Sequence, residues 1–309
     1  MPDSPPPILY KYMSSARIGF FDTPQLRFTP PAEFNDDFEC ILKTTGLCEP
    51  AYMRDRLLEQ IKDDSTLKKH LCDQLVELSG SPRSIFEDFL TPQILSMLRN
   101  EYQRDLQDSA TLLANWLATD LSAKKLLQLH ESAQNKANMG VLCLTPDKNN
   151  PAMWGNYTPN FQGHPLRGFV VGFDTSNPFF DRRLVPYDPF RHLVPVQYPK
   201  QRHQRYLSDY DDMDNGRKAL AEDIYYTKHH KWEAENEWRM VISIAEDPNA
   251  KILGLEDIPV EMIKEVYLAS RSDDVLGEAA KNFCSKHEIP LFKMIPNKLE
   301  ESFEPMQIL

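Results

Sequence analysis

The 309-residue chain contains no apolar stretch close to the roughly 20 residues needed to cross a bilayer as a helix, which argues against a membrane-spanning protein. Its opening residues, Met1-Pro2-Asp3-Ser4-Pro5-Pro6-Pro7, offer an acid and four prolines where a secretion signal needs basic residues and then an apolar run. Cysteine is sparse. The five present, Cys40, Cys48, Cys72, Cys143 and Cys284, are odd in number, scattered and without a Cys-x-x-Cys pair, which argues against a disulfide framework and against a zinc ribbon. Basic residues are outnumbered 35 to 46, so a net charge of −11 repels phosphate backbones and anionic membranes. Extended non-specific nucleic-acid binding is disfavoured, although a local basic patch could still act. Together these absences predict a soluble, cytoplasmic protein.

Familiar catalytic signatures are missing as well. There is no Gly-x-Gly-x-x-Gly, no phosphate-binding loop, no Gly-x-Ser-x-Gly, no His-Glu-x-x-His and no kinase signature. What remains is ordinary globular composition, 41% hydrophobic and 26% charged, enough for one large domain or two modest ones.

Ile8 to Met13 and Gln25 to Thr29 read as strands, the second stopped by Pro30-Pro31. Residues 50–138 read as almost continuously helical and form an insertion that covers or rims a β core. Its helical segments are 52–61, 67–78, 84–89, 92–106 and 111–134, with Leu57, Leu58 and Ile61, and later Leu112, Leu113, Trp116 and Leu117, at amphipathic spacing. Strands resume at 140–145, 168–174 and 193–198, the last at an edge because of Pro195. A helix is predicted over 216–231. Its adjacent His229 and His230 cannot both face one metal from a regular helix, so no metal site is assigned. The end of the chain, strand 262–268, helix 274–287 and strand 289–295, has the layout of a βαβ unit with parallel strands. The expected fold class is α+β: one domain over 1–309, a mixed, bent β-sheet core and a large helical insertion over 50–138.

The chemistry concentrates in Lys231-Trp232-Glu233-Ala234-Glu235-Asn236-Glu237-Trp238-Arg239-Met240, where a charged approach at helical spacing runs into an apolar strand. If extended backbone begins at Glu235, then Glu235, Glu237 and Arg239 share one face, and Trp238, Met240 and Ile242 the other. Such a ladder is often only a surface ion pair. Earlier, Phe34-Asn35-Asp36-Asp37-Phe38-Glu39 reads as an Asx turn or helix cap with Phe34 and Phe38 as core anchors. Its acids could bind a cation, but the glycine of a calcium loop is missing. Trp154 and Tyr157 share one face of a helical turn, either as a lid on the core or as a stacking wall for a planar ligand.

Taken in order, Tyr10-Lys11-Tyr12, Phe34-Asn35-Asp36-Asp37-Phe38-Glu39, Met153-Trp154-Gly155-Asn156-Tyr157 with Gly163, and Trp232-x-x-Glu235-x-Glu237-Trp238-Arg239 resemble a mainly bacterial, uncharacterised family, domain of unknown function twenty-nine seventy-one. Two positions depart from that pattern. Asp37 stands where the family has proline, and Phe161 stands where it often has histidine. The family layout is similar to ADP-ribosyltransferase-like toxins, a fold-level analogy. The resemblance implies a sheet core similar to the ADP-ribosyltransferase fold and NAD as substrate. It also implies transfer of ADP-ribose to a macromolecular acceptor, or NAD hydrolysis, in a toxin or defence effector.

On that resemblance Glu237 is the carboxylate beside the ribose, preferred over Glu235 for the main role, and Glu235 takes a proton from the nucleophile. Tyr157 or Trp154 stacks on nicotinamide, and Lys11 and Tyr12 meet ribose or phosphates. Arg239 holds Glu237 or a phosphate, Asn35 ties the loop beside the pocket, and Phe34 belongs to the same substrate-binding wall. The alternative is a non-catalytic binding or scaffold protein in which these residues lock the core. A nuclease built on Asp36, Glu39 and Glu237 lacks metal-ligand spacing. A cavity shared by Glu235, Glu237, Tyr12 and Tyr157 favours the enzyme, whereas a buried, fully paired Glu237 favours the scaffold.

Overall fold

A computed structural model describes residues 4–42, 44–46, 49, 51–52, 63–79, 82–96, 139–201, 205–210, 215–244, 254–300 and 302–309. The chain divides into two units, one of residues 1–42, 132–203 and 214–309, the other of residues 43–131 and 204–213.

The first unit is built on β-branched and aromatic runs that pair as strands. Strand β1 (Ile8–Met13) lies antiparallel to β5 (Phe169–Asp174), with Tyr10 opposite Gly172 and Tyr12 opposite Val170. Gly168, just before β5, is a steric requirement, because a Cβ there would lie 2.0 Å from the Met13 carbonyl oxygen. On its other side β5 pairs antiparallel with β10 (Ile263–Leu268). Strand β10 runs parallel to β11 (Leu291–Asn297), so the predicted βαβ unit is present. Strand β12 (Ser302–Gln307), which the sequence reading did not anticipate, adds antiparallel to β11 and completes a five-stranded mixed sheet.

The crossover helix α5 (Asp274–His287) starts where Asp273 accepts from the Leu276 amide and ends where Glu288 turns left-handed at φ 56°. It buries Leu276, Ala280, Phe283 and Cys284. Phe283 meets Phe20 and Phe21 of the 3₁₀ turn Ser15–Phe21 at 6.3 and 5.7 Å between ring centres. These side chains join one apolar core with Leu142, Phe169, Trp238 and Met240, in which each buried aromatic or aliphatic side chain contributes about 1.5–3 kcal/mol.

A second, three-stranded sheet carries the site. Its central strand is β8 (Trp238–Ser243), flanked antiparallel by β4 (Met139–Leu144) and by the two-residue edge strand β6 (Val194–Pro195). In place of one bent sheet, the ladders form these two sheets, joined where Tyr10 and Thr145 exchange backbone bonds of 2.7 and 3.0 Å. The junction stops there because the Thr145 hydroxyl accepts from the Asp147 amide and turns the chain away. Strands β2 (Gln25–Arg27) and β9 (Leu255–Asp257) form a small antiparallel pair.

The second unit holds a parallel pair, β3 (Thr44–Gly46) with β7 (Arg205–Tyr206), and helices α1 (Asp64–Ser79) and α2 (Arg83–Phe89). Residues 92–96 are also helical, and Leu67, Cys72, Leu90 and Leu95 share its small core. Of the predicted helices, 111–134 and most of 52–61 and 92–106 lie outside the described residues, as do Cys48, Trp116 and His130. Among the described residues no helix is long and apolar enough to cross a membrane.

Candidate functional site

The local turn that creates the site begins at the end of α4 (Asn215–Tyr225). The helix predicted to reach Lys231 stops six residues sooner. The Thr227 hydroxyl donates to the Glu222 carbonyl at 2.8 Å, and Thr227 pairs with Gln197 as a parallel bridge, which draws 226–228 into extended backbone. His229 then caps a new 3₁₀ turn, His230–Glu235, by accepting from the Lys231 amide. Asn236 ends that turn in the left-handed region at φ 45°, which asparagine tolerates better than most residues. The strand starts at Trp238 and not at Glu235, yet the left-handed residue brings Glu235 and Glu237 to the same cation.

That cation is Lys228, which the sequence reading assigned to a helix face. Its Nζ donates to Glu235 Oε2 at 2.7 Å and to Glu237 Oε1, and lies 3.5 Å from Glu39 Oε1. The Trp232 ring covers it at 4.9 Å. Arg239, central in the three-stranded sheet opposite Cys143 and Val194, is 0% exposed. A buried guanidinium needs anionic partners. Arg239 Nε donates to Glu237 Oε2 at 2.8 Å, Nη2 to Glu39 and Nη1 to the Tyr225 carbonyl at 2.9 Å. The Glu237 amide donates to the Tyr198 hydroxyl at 2.7 Å, and Tyr157 donates to Glu235 Oε1 at 2.8 Å.

Of these groups Glu39, Tyr157, Lys228, Glu235, Glu237 and Arg239 line one wall of a cavity of about 350 Å³ in the first unit. The remaining walls place Lys11, Tyr12, Phe34, Asn35 and Cys143 around the same space. Lys11 donates to the Cys143 carbonyl at 2.9 Å, and Tyr12 donates to the Asp147 carbonyl at 2.8 Å. Phe34 lies under the Arg239 guanidinium at 5.6 Å. Eight of the nine residues singled out from sequence therefore converge.

Trp154 is the ninth, and it does not reach the cavity. It is 0% exposed, its indole donates to the Lys148 carbonyl at 2.7 Å, and it meets Tyr12 edge-on at 5.3 Å. Helix α3 (Pro151–Tyr157) turns Trp154 into the core and Tyr157 toward the cavity, although the two share a face. Phe38 also departs from expectation, being 66% exposed and no core anchor. The Asx turn it belongs to is present, with Asp36 accepting from the Phe38 amide at 3.0 Å and from the Trp232 indole at 2.8 Å. Among the described residues no three His, Cys, Asp or Glu side chains converge as a metal site.

The two neighbouring glutamates have opposite protonation tendencies. Burial, then the hydrogen bond from its carboxyl to Glu237, pushes Glu235 up to about 7. Burial would raise Glu237 too, but Arg239 and Lys228 outweigh it and hold that carboxyl below the usual range. Burial lowers Lys11, and burial raises the Tyr157 phenol and pushes the Cys143 thiol up to about 12. A carboxyl that exchanges its proton near neutrality thus sits beside one that stays ionised, an arrangement suited to acid and base work.

Sequence reasoning missed Lys228 and Tyr198, and considered Glu39 only in the discounted nuclease reading. Glu39 belongs to the acidic cluster already noted, but its partner Arg239 stands 200 positions away. No curated protein and no solved structure matches the chain. Tyr157, Lys228, Glu235, Glu237 and Arg239 all fall within residues 153–240, which match the family described as Protein of unknown function (DUF2971).

Proposed function

We propose that the cavity binds NAD and cleaves its nicotinamide–ribose bond, passing ADP-ribose to water or to a macromolecular acceptor in the manner of an ADP-ribosyltransferase. The observation that carries this reading is the Glu235–Glu237 pair, one carboxyl protonatable near neutrality and one held ionised, facing a single cavity with Tyr157 and Lys11. The volume is at the small end for ligand sites, so it would hold the nicotinamide riboside end and leave the adenylate outside.

As the bond to nicotinamide breaks, its electron pair leaves with the neutral base and positive charge develops on the ribose carbon. The ionised Glu237 stabilises that charge electrostatically. Two cations, Lys228 and Arg239, hold Glu237, against one for Glu235, so the role of Glu237 is fixed charge and not bond formation. Glu235 accepts the proton of the attacking hydroxyl, the role the resemblance implies for it. Tyr157 orients Glu235, and Arg239 orients Glu237. Phe34, Asn35 and Tyr12 border the bound ring and sugar, and Trp154 acts only by supporting Tyr12. The free thiols Cys40, Cys72, Cys143 and Cys284 support a reducing, cytoplasmic setting, in which a toxin or defence effector would work.

The complete pairing of Glu237 favours the second reading, a non-catalytic protein locked by this cluster. Nicotinamide release by purified protein separates the two. Cleavage by wild type, lowered by roughly 10²–10⁴-fold in a folded Glu235→Gln variant, is the expected outcome. Intact NAD, with no NAD binding by calorimetry, would overturn the enzymatic reading.

A further inference from the structure

Apart from Glu33, which lines the cavity and pairs with Arg27, the charges around the cavity do not close as separate pairs. Lys228 and Arg239 between them hold Glu39, Glu235 and Glu237. Lys11 is left with the Cys143 carbonyl and no carboxylate within ion-pair distance among the described residues. An ammonium has three donors, and one is used. Three cations thus meet three carboxylates, balanced only while Glu235 is ionised.

An oxyanion placed on Lys11 would upset that balance by one or two negative charges. Of the groups that face Glu235, Lys228 is already committed to three carboxylates, Tyr157 is a phenol kept neutral by burial, and Glu237 is held ionised. Around Lys11 stand Cys143, whose thiol burial keeps protonated, and, farther off, Glu237, Arg239 and Arg17. Glu39 and Glu237 each meet both Lys228 and Arg239, whereas Glu235 meets Lys228 alone, so Glu235 is the carboxyl placed to answer the added charge by taking a proton.

We propose that the cavity is a proton-coupled anion site, in which a ligand phosphate binds the Lys11 ammonium and draws one proton onto Glu235. The phosphate is favoured over a carboxylate because a lone ammonium offers a point charge and not a planar fork. This rests on the reading of the cavity as a nucleotide site. It adds a consequence for pH: affinity for a phosphorylated ligand falls as pH rises past neutrality, because the proton that accompanies binding becomes scarcer.

The test is calorimetry at pH 8 with nicotinamide mononucleotide, and with nicotinamide riboside as the phosphate-free control, in buffers of low and high ionisation enthalpy. At that pH the phosphate is already a dianion, so any proton taken up goes to the protein. Expected are uptake of up to one proton by wild type, none by Glu235→Gln, and a loss of affinity on the order of ten- to hundredfold in Lys11→Met for the mononucleotide but not the riboside. Mononucleotide binding without proton uptake in wild type overturns the proposal with no variant needed. Uptake that survives Glu235→Gln overturns it as well, by placing the proton on Lys11. Proton-coupled binding with NAD left intact would keep this inference and remove the cleavage reading. NAD cleavage with mononucleotide binding indifferent to Lys11 would do the reverse, and absence of all binding removes both.

Discussion

The ammonium of Lys228 and the carboxyl of Glu235 meet at 2.7 Å across a break in helical structure, both nearly excluded from water. Neither group could be held there alone, because an isolated buried charge costs several kcal/mol. Lys228→Met should therefore destabilise the protein by about 3–5 kcal/mol, since three carboxylates lose a shared cation. Urea unfolding at neutral pH measures this. A loss below about 1 kcal/mol would mean that the cluster is not what holds 226–239 in place.

Glu235 gives the stability a definite pH slope. Its folded-state pKa is raised from 4.5 to about 7, so the folded protein binds more protons than the unfolded chain between those values. That contribution is fully present below about pH 4.5 and is lost as pH rises through about 7. Relative to Glu235→Gln, wild type should lose stability from pH 5 to 8, by on the order of 1 kcal/mol per pH unit. Parallel pH profiles of the two proteins would refute the assignment of the proton to Glu235.

Trp154 and Tyr157 should behave as opposites. Trp154→Ala removes a fully buried ring and should cost about 3–5 kcal/mol in chemical denaturation. Tyr157→Phe removes one hydrogen bond to Glu235, worth about 1 kcal/mol, and should show its effect in turnover. The reverse pattern, a stable Trp154→Ala and an unfolded Tyr157→Phe, would show the two roles to be exchanged.

The thiols of Cys40, Cys143 and Cys284, each pushed by burial to about 12, should be inert in the native state. Titration with a thiol reagent at pH 8 should leave these three unmodified until denaturant is added. Fast modification of Cys143 in native protein would indicate that the cavity wall opens.

Much of this was written in the sequence as pattern. Strand β1, helix α5 and the parallel pairing of β10 with β11 follow from apolar alternation and an Asp273 cap, signals that act over a few residues. The site residues were legible because Glu235, Glu237 and Arg239 lie two apart, and the left-handed Asn236 preserved their convergence even though the strand starts later. Lys228 was not legible as a hub. Its helix-like spacing to Lys231, Trp232 and Glu235 hid an early helix end, made by a partner, Gln197, that no local pattern reveals. The assignment of Trp154 and Tyr157 to inside and outside likewise depended on the packing of Tyr12, and strand β12 carries a proline, which weakens its strand signal.

The ion pair of Glu39 with Arg239 has a kinetic side. It joins residues 200 apart in the chain, and closing so long a loop costs entropy before the contact returns anything. Local hairpins and the α5 crossover have no such handicap. Refolding should therefore form the β10–α5–β11 unit and the β11–β12 hairpin before the charged wall, so that a chain caught midway would carry these local elements and still lack a ligand-ready cavity.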